Sequence, residues 1–286
     1  MERYYSFAGI TIRITGDDAV MYKDDGILAS YSVTPRAYDH TVFFDLVQHL
    51  EPPAGQCLFQ SDAMHVYGDG DRRIRYSGAL ENGLDGAYLR IERKGNISCV
   101  QGTNQWSVDR ISPRMVLNTL EAEHHIVSNG GFLLHASFVR WKDGAILFTA
   151  PSQTGKSTQA ELWCRLRGAE QINGDRAAVM VSSSEVHAWG IPFCGSSGIS
   201  KNINVPLKAI VYLSQARETT IQRLTGLRAF SRVWEGCCVN AWEREDLQRC
   251  TDAVLQTISQ VPVFHLACTP DETAVIALEH ALLEMR

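Results

Sequence analysis

Ala150-Pro151-Ser152-Gln153-Thr154-Gly155-Lys156-Ser157-Thr158 is the stretch whose reading decides the fold. It follows the apolar run Gly144-Ala145-Ile146-Leu147-Phe148-Thr149 and precedes a helical pattern from Gln159 towards Arg167. Strand, glycine-bearing turn and helix in that order predict a phosphate-binding loop. Backbone N–H groups from about Thr154 to Thr158 would wrap an anion at a helix N-terminus, where the partial positive charge favours it. Ser152 belongs to the same nucleotide-facing set. Gly155 lets the backbone approach closely, Lys156 would bridge β- and γ-phosphates, and the Ser157 hydroxyl would sit on Mg²⁺. The usual opening glycine is Ala150 here; the Gly-Lys-Ser core is intact.

The flanking sequence adds chemistry. Phe132 to Val139 reads as a strand, Lys142-Asp143-Gly144 as a tight turn, and 145–149 as the returning strand, so an antiparallel pair delivers the loop. Beyond the loop helix, 170–181 reads as strand, acidic turn, strand, with Asp175 as the one carboxylate of the turn. Gly-Asp is ordinary turn chemistry, but a carboxylate at a strand end near a phosphate loop also suits a metal ligand or a water-positioning group. Gly195-Ser196-Ser197-Gly198-Ile199-Ser200-Lys201-Asn202 is a second Gly/Ser-rich loop. It is either a surface linker or a cover for an anionic substrate, with Lys201 adding positive charge to a phosphoryl transition state.

Composition bounds the rest. The chain has 286 residues, 45% of them hydrophobic, and a net charge of −5, which gives no global basic field for nucleic acid. No apolar run spans a bilayer, and the first residues lack a signal-peptide core, so a cytoplasmic protein without membrane attachment is expected. Eight cysteines show neither CxxC pairs nor zinc spacing and are read as reduced thiols, with Cys237-Cys238 as helix-core filler. The first 112 or so residues are expected to be β-rich: a strand over 7–14, hairpins at 63–76 and 87–100, and a helix over 41–49. His40, His49 and His65 are expected to be surface or satisfied histidines. A boundary is expected at 112–114, giving a β-rich N-terminal domain over 1–114 and a nucleotide domain over 115–286. The latter begins with a helix over 115–128. It continues with strands at 206–213 and 219–224, helices over 229–242 and 244–259, a strand at 262–267 and a closing helix over 273–285.

Leu133-Leu134-His135-Ala136-Ser137, the phosphate loop and Asn173-Gly174-Asp175-Arg176, in that order, resemble the catalytic domain of HPr kinase/phosphorylase. The similarity is strongest to HPr-kinase-like proteins that accompany modified-peptide gene clusters, lasso-peptide kinases among them. It covers about residues 115–286, and includes 190–202 and 206–213. The resemblance implies an α/β fold: a mixed-sheet P-loop kinase core of the type shared with phosphoenolpyruvate carboxykinase. It implies ATP and Mg²⁺ as cofactors, a homo-oligomeric assembly, and transfer of the γ-phosphate to a serine-like hydroxyl of a peptide or small molecule. It carries over Gly155, Lys156, Ser157 and Thr158 as phosphate cradle, Ser157 and Asp175 as metal-facing groups, and Asp175, His135, Lys156 and Lys201 as catalytic candidates. Where that family has Asp-Asp, this chain has Gly174-Asp175, and the N-terminal part differs, which makes HPr a poor candidate acceptor. The alternatives are a catalytically weak nucleotide-binding partner module, or a hydrolytic NTPase, which would need a longer apolar strand ending in Asp-Glu.

Overall fold

Alternation of apolar and polar residues gives the first part of the chain its strands. The computed structural model describes residues 2–16, 26–103 and 119–284. It divides into two units, Met1–Ala122 and Glu123–Arg286; the expected boundary after residue 114 lies outside the described residues.

The strands of the first unit are β1 (Glu2–Phe7), β2 (Ile10–Gly16), β3 (Ser32–Val33), β4 (His40–Leu46), β5 (Gln56–Ser61), β6 (Met64–Asp69), β7 (Arg72–Gly78), β8 (Ala87–Lys94) and β9 (Ile97–Gly102). They form one sheet in the order β3-β1-β2-β4-β9-β8-β7-β6-β5. Only β4 runs parallel to its neighbours, β2 and β9. Two expectations change here. The strand expected over 7–14 is the end of one strand and the start of another, because Ala8 and Gly9 take φ 52° and 78° and reverse the chain between Phe7 and Ile10. The helix expected over 41–49 is strand β4: Thr-Val-Phe-Phe suits a pleated surface, and partners on both sides decide it. Val42 and Phe44 are buried while Phe43 is exposed, the period of a strand. His40 bonds Ser98, with Nε2 to Oγ at 2.9 Å. His65 departs from expectation: it is buried, and neither ring nitrogen has a hydrogen-bond partner among the described residues.

At the start of the second unit lies a helix, Ala122–Ser128, shorter than the one expected over 115–128, because residues 120 and 121 form a turn with Glu121 at φ 49°; residues 115–118 lie outside the described residues. Its strands are β10 (Gly131–Trp141), β11 (Gly144–Thr149), β12 (Glu170–Asn173), β13 (Arg176–Val181), β14 (Val186–Trp189), β15 (Asn204–Gln215), β16 (Thr220–Leu224), β17 (Cys237–Cys238) and β18 (Val263–Cys268). The long strand β10 pairs β13 through residues 131–135 and β11 through residues 136–141. From β13 the pairing runs to β14 and β15, and β15 returns to β11 in parallel. The pairings of these five strands close on themselves. Strand β18 lies parallel to β15, and β16 is the antiparallel edge.

Strand β11 is buried along its whole length, and its side chains divide between two cores. Ala145 and Leu147 join Phe132, Leu134 and Phe138 in one core, under helices Gly226–Trp234 and Arg244–Gln260. Ile146 and Phe148 join Trp141 and Trp163 in the other, under helices Lys156–Arg167 and Glu272–Leu283. Trp163 is fully buried, edge-on to Trp141 with ring centroids 5.1 Å apart. It anchors the helix that follows the glycine-bearing loop, and truncating such a side chain costs about 3–5 kcal/mol. Among the described residues no helix is long and apolar enough to cross a membrane.

The helix expected over 229–242 ends at Trp234, and Cys237-Cys238 is not helical filler but a short strand beside Leu133 and Leu134 of β10. No disulfide joins any two of the eight cysteines. Burial pushes the Cys238 thiol up to about 11, and Cys237, hydrogen-bonded to Cys250, is also raised well above the ordinary thiol value. A raised thiol pKa leaves little nucleophilic thiolate at pH 8. Iodoacetamide at that pH should therefore alkylate the exposed Cys57 and spare Cys237 and Cys238 until urea is added, with peptide mass spectrometry as the readout.

Candidate functional site

The turn from β11 into helix Lys156–Arg167 carries two backbone constraints. Gln153 takes φ 64°, and Gly155 sits at φ 115°, ψ 19°, in the left-handed region that glycine adopts without strain. No side chain caps the helix start, and its first internal bond runs from the Gln159 N–H to the Gly155 carbonyl at 2.9 Å. The N–H groups of the first turn are therefore available to an external acceptor, and the helix dipole favours an anion there. Thr154 donates its hydroxyl to the Pro151 carbonyl at 2.9 Å and tightens the loop. Lys156 is only 9% exposed, and its ammonium donates to the carbonyls of Ala150 at 3.0 Å and Pro151 at 3.3 Å. Burial pushes its pKa below the ordinary lysine value, while the charge of Asp175 acts in the opposite direction.

A cavity of about 350 Å³ opens in front of this turn. Ser152, Gln153, Gly155, Lys156, Ser157 and Thr158 form its loop side. His135 of β10, Gly174 and Asp175 of the β12–β13 turn, and Ser196 and Ser197 of the Gly/Ser-rich loop face them. The fold thus brings together residues expected from sequence to act together, with two exceptions. Thr154 lines a neighbouring cavity. Lys201 is not among the residues lining this one; its ammonium pairs with Glu170 at 2.7 Å and its backbone N–H bonds the Ile172 carbonyl.

Asp175 is held from several sides. Its Oδ1 lies 3.4 Å from Nε2 of His135 and its Oδ2 lies 3.5 Å from Nε of Arg176. Arg176 is itself fixed by Glu123 at 3.3 Å and by the Phe193 ring, 4.6 Å below its guanidinium. The hydrogen bond from His135, ahead of the charges of Arg176 and Lys156, holds the Asp175 carboxyl below the ordinary aspartate value against the opposing effect of burial. An ionised carboxylate therefore faces a buried ammonium and the Ser157 hydroxyl across one cavity. A chain with these groups can hold an anion at the loop, a cation between Ser157 and Asp175, and a proton on Asp175.

Asn173, which the sequence reading did not single out, builds the turn. It is fully buried; its Oδ1 accepts from the N–H groups of Asp175 at 2.9 Å and Arg176 at 3.0 Å. Its Nδ2 donates to the carbonyls of Ile191 at 3.2 Å and Phe193 at 2.6 Å. Ser137 adds a hydroxyl bond to the Gly174 carbonyl at 3.1 Å. The glycine at 174 also has a steric cause. A Cβ there would lie 2.0 Å from Oγ and 2.4 Å from Cβ of Ser197, whose hydroxyl bonds the Cys194 carbonyl at 2.7 Å. Ser197 fills the space that a first carboxylate would need.

Residues 98–281 match the family described as ScmC: SynChlorMet cassette protein ScmC. No curated protein matches the chain. Among solved structures, the Hpr(Ser) kinase/phosphatase from Coxiella burnetii is similar over 54% of this chain and 97% of that one, at 11% identity and a TM-score of 0.32. A likeness of that size decides neither fold nor activity.

The contact between Gly174 and Ser197 is testable by coupling. Gly174→Ala should destabilise the protein by about 1–3 kcal/mol in urea unfolding, as overpacking does. In a Ser197→Gly background most of that cost should vanish, since residues in contact are not additive. Equal costs in both backgrounds would mean that the two residues do not touch.

Proposed function

This chain belongs to the ScmC family, and we propose that it is a phosphotransferase that moves the γ-phosphoryl group of ATP to a serine-like hydroxyl of a peptide or small molecule. The observation that carries this reading is the ionised Asp175, paired with His135, facing Lys156 and Ser157 across one cavity. The residues fit the nucleotide: first-turn N–H groups without a side-chain cap, a left-handed Gly155 and a buried ammonium suit a polyphosphate. They also fit Mg²⁺, which takes one or two protein ligands beside phosphate oxygens and water; Ser157 and Asp175 would hold it, and it supplies charge neutralisation.

In this reading Lys156 leaves the Ala150 and Pro151 carbonyls for the phosphoryl oxygens. Asp175 accepts the proton of the acceptor hydroxyl. The new O–P bond forms as the bond from the γ-phosphorus to the β–γ bridging oxygen breaks, leaving ADP. His135 keeps Asp175 ionised and aimed. One carboxylate serves where the HPr kinase resemblance implies two, so Asp175 both faces the metal and takes the proton. Lys201, paired with Glu170, has no part in this scheme.

Incubation with γ-labelled ATP, Mg²⁺ and serine-containing peptides or free hydroxy amino acids should move label to one acceptor class. Lys156→Ala should abolish transfer, and Asp175→Asn should lower kcat about 10²–10⁴-fold. Label transfer undiminished in Lys156→Ala would refute the loop assignment, and nucleotide binding without transfer would leave a binding module.

His135→Ala carries a signed pH prediction. His135 lowers the Asp175 pKa, so its removal raises it. The base form is then lost at higher pH, and the acid limb of kcat/KM should move upward. An unmoved limb would remove the pair from the mechanism.

A further inference from the structure

A second cavity, of about 440 Å³, lies against the same turn and shares Gln153, Gly155 and Thr158 with the first. The chemistry of its walls differs. Leu213, Ala216, Cys268 and Pro270 give it apolar sides, and it lacks the His135, Lys156, Ser157 and Asp175 of the first cavity. A polyphosphate seated on the turn has two ends. The charged groups take one end in the first cavity, and the other end leads past Thr158 into the second. Apolar walls there suit a heterocyclic base.

Gln159 supplies the specific feature. It lines this second cavity, one residue beyond Thr158, and is only 2% exposed. Its Nε2 donates to the Cys268 sulfur at 3.5 Å, while its Oε1 is buried with no hydrogen-bond partner among the described residues. A buried carbonyl without a donor is destabilising, and such exceptions in folded proteins call for a cause. The helix holds the residue in place, since its own N–H bonds Gly155.

We infer that this cavity is the nucleoside subsite and that Gln159 is its specificity-determining residue, its side-chain carbonyl accepting a hydrogen bond from an exocyclic amine of the base, as adenine carries. The inference rests on the phosphate-loop reading above and adds to it the residue that selects the base. Cys268 has a supporting part: burial raises its thiol pKa, so the sulfur stays uncharged beside the amide.

Equilibrium binding of ATP, purine riboside triphosphate, inosine triphosphate and inorganic tripolyphosphate, by calorimetry with Mg²⁺, tests it. Wild-type protein should bind ATP about tenfold or more tightly than the two analogues without the amine, the loss expected for an unpaired buried carbonyl. Gln159→Leu should erase that difference and leave tripolyphosphate binding unchanged. Equal binding of ATP and purine riboside triphosphate by the wild type, which needs no variant, overturns the inference while Lys156-dependent binding keeps the loop reading. A preference that survives in Gln159→Leu also overturns it. Failure of every triphosphate, tripolyphosphate included, to bind in a Lys156-dependent way overturns both.

Discussion

The side chain of Asn173 is the interaction on which the site depends. A neutral amide at zero exposure has to find partners for its carbonyl and its amino group, and this one finds four backbone groups. Two belong to the turn that carries Asp175, and two to the segment leading from β14 into the Gly/Ser-rich loop. One residue therefore ties two chain segments that are distant in sequence, and both reach the same cavity. A charged residue in its place would be a poor substitute, because burial penalises charge and the geometry asks for donor and acceptor at once. Removing the amide would leave backbone N–H and C=O groups unpaired at both ends of the contact.

Around that tie, the strand pairings set the distance across the cavity. Strand β10 presents His135 near the middle of its length, where its partner changes from β13 to β11. The Ala136 N–H bonds the Asp175 carbonyl at 2.9 Å, and the Thr149 hydroxyl bonds the His135 carbonyl at 2.9 Å. The turn that carries Asp175 and the last residue of β11 are thus both tied to the β10 backbone at positions 136 and 135, and that backbone has few degrees of freedom. Side chains mounted on such a frame stay aligned with the start of helix Lys156–Arg167.

Much of this was legible in the sequence, and the reasons differ by element. The strand–turn–helix order around Gly155 is legible because its three parts are adjacent in the chain, so local spacing alone carries it. The antiparallel delivery of the loop was legible because Lys142-Asp143-Gly144 leaves room only for a tight turn. Strand β4 reads as a helix locally because Phe43, Leu46 and Val47 recur at helical spacing, and only the flanking strands show that pairing wins. Cys237-Cys238 was misread for the same reason: its partner is β10, about a hundred residues earlier in the chain. Lys201 looked like a substrate-facing cation because nothing in its neighbourhood announces Glu170. Asn173 reads locally as the start of the turn motif and Ser197 as one serine of a Gly/Ser-rich loop; their particular roles rest on segments the fold brings from elsewhere.

The hold of Lys156 on Ala150 and Pro151 has a thermodynamic corollary. An ammonium in open water exchanges solvent for its ligand. On the proposed reading this one would exchange two fixed carbonyl dipoles, already aligned and little screened, for the arriving anion. The loop thus contains its own competitor at an effective concentration set by the covalent chain. Weak monoanions displace such a competitor poorly, whereas a multiply charged group that also reaches the first-turn N–H groups gains on both counts. On the proposed reading, discrimination by charge density would in this way be built into the resting conformation, before any contact with the rest of a ligand is made.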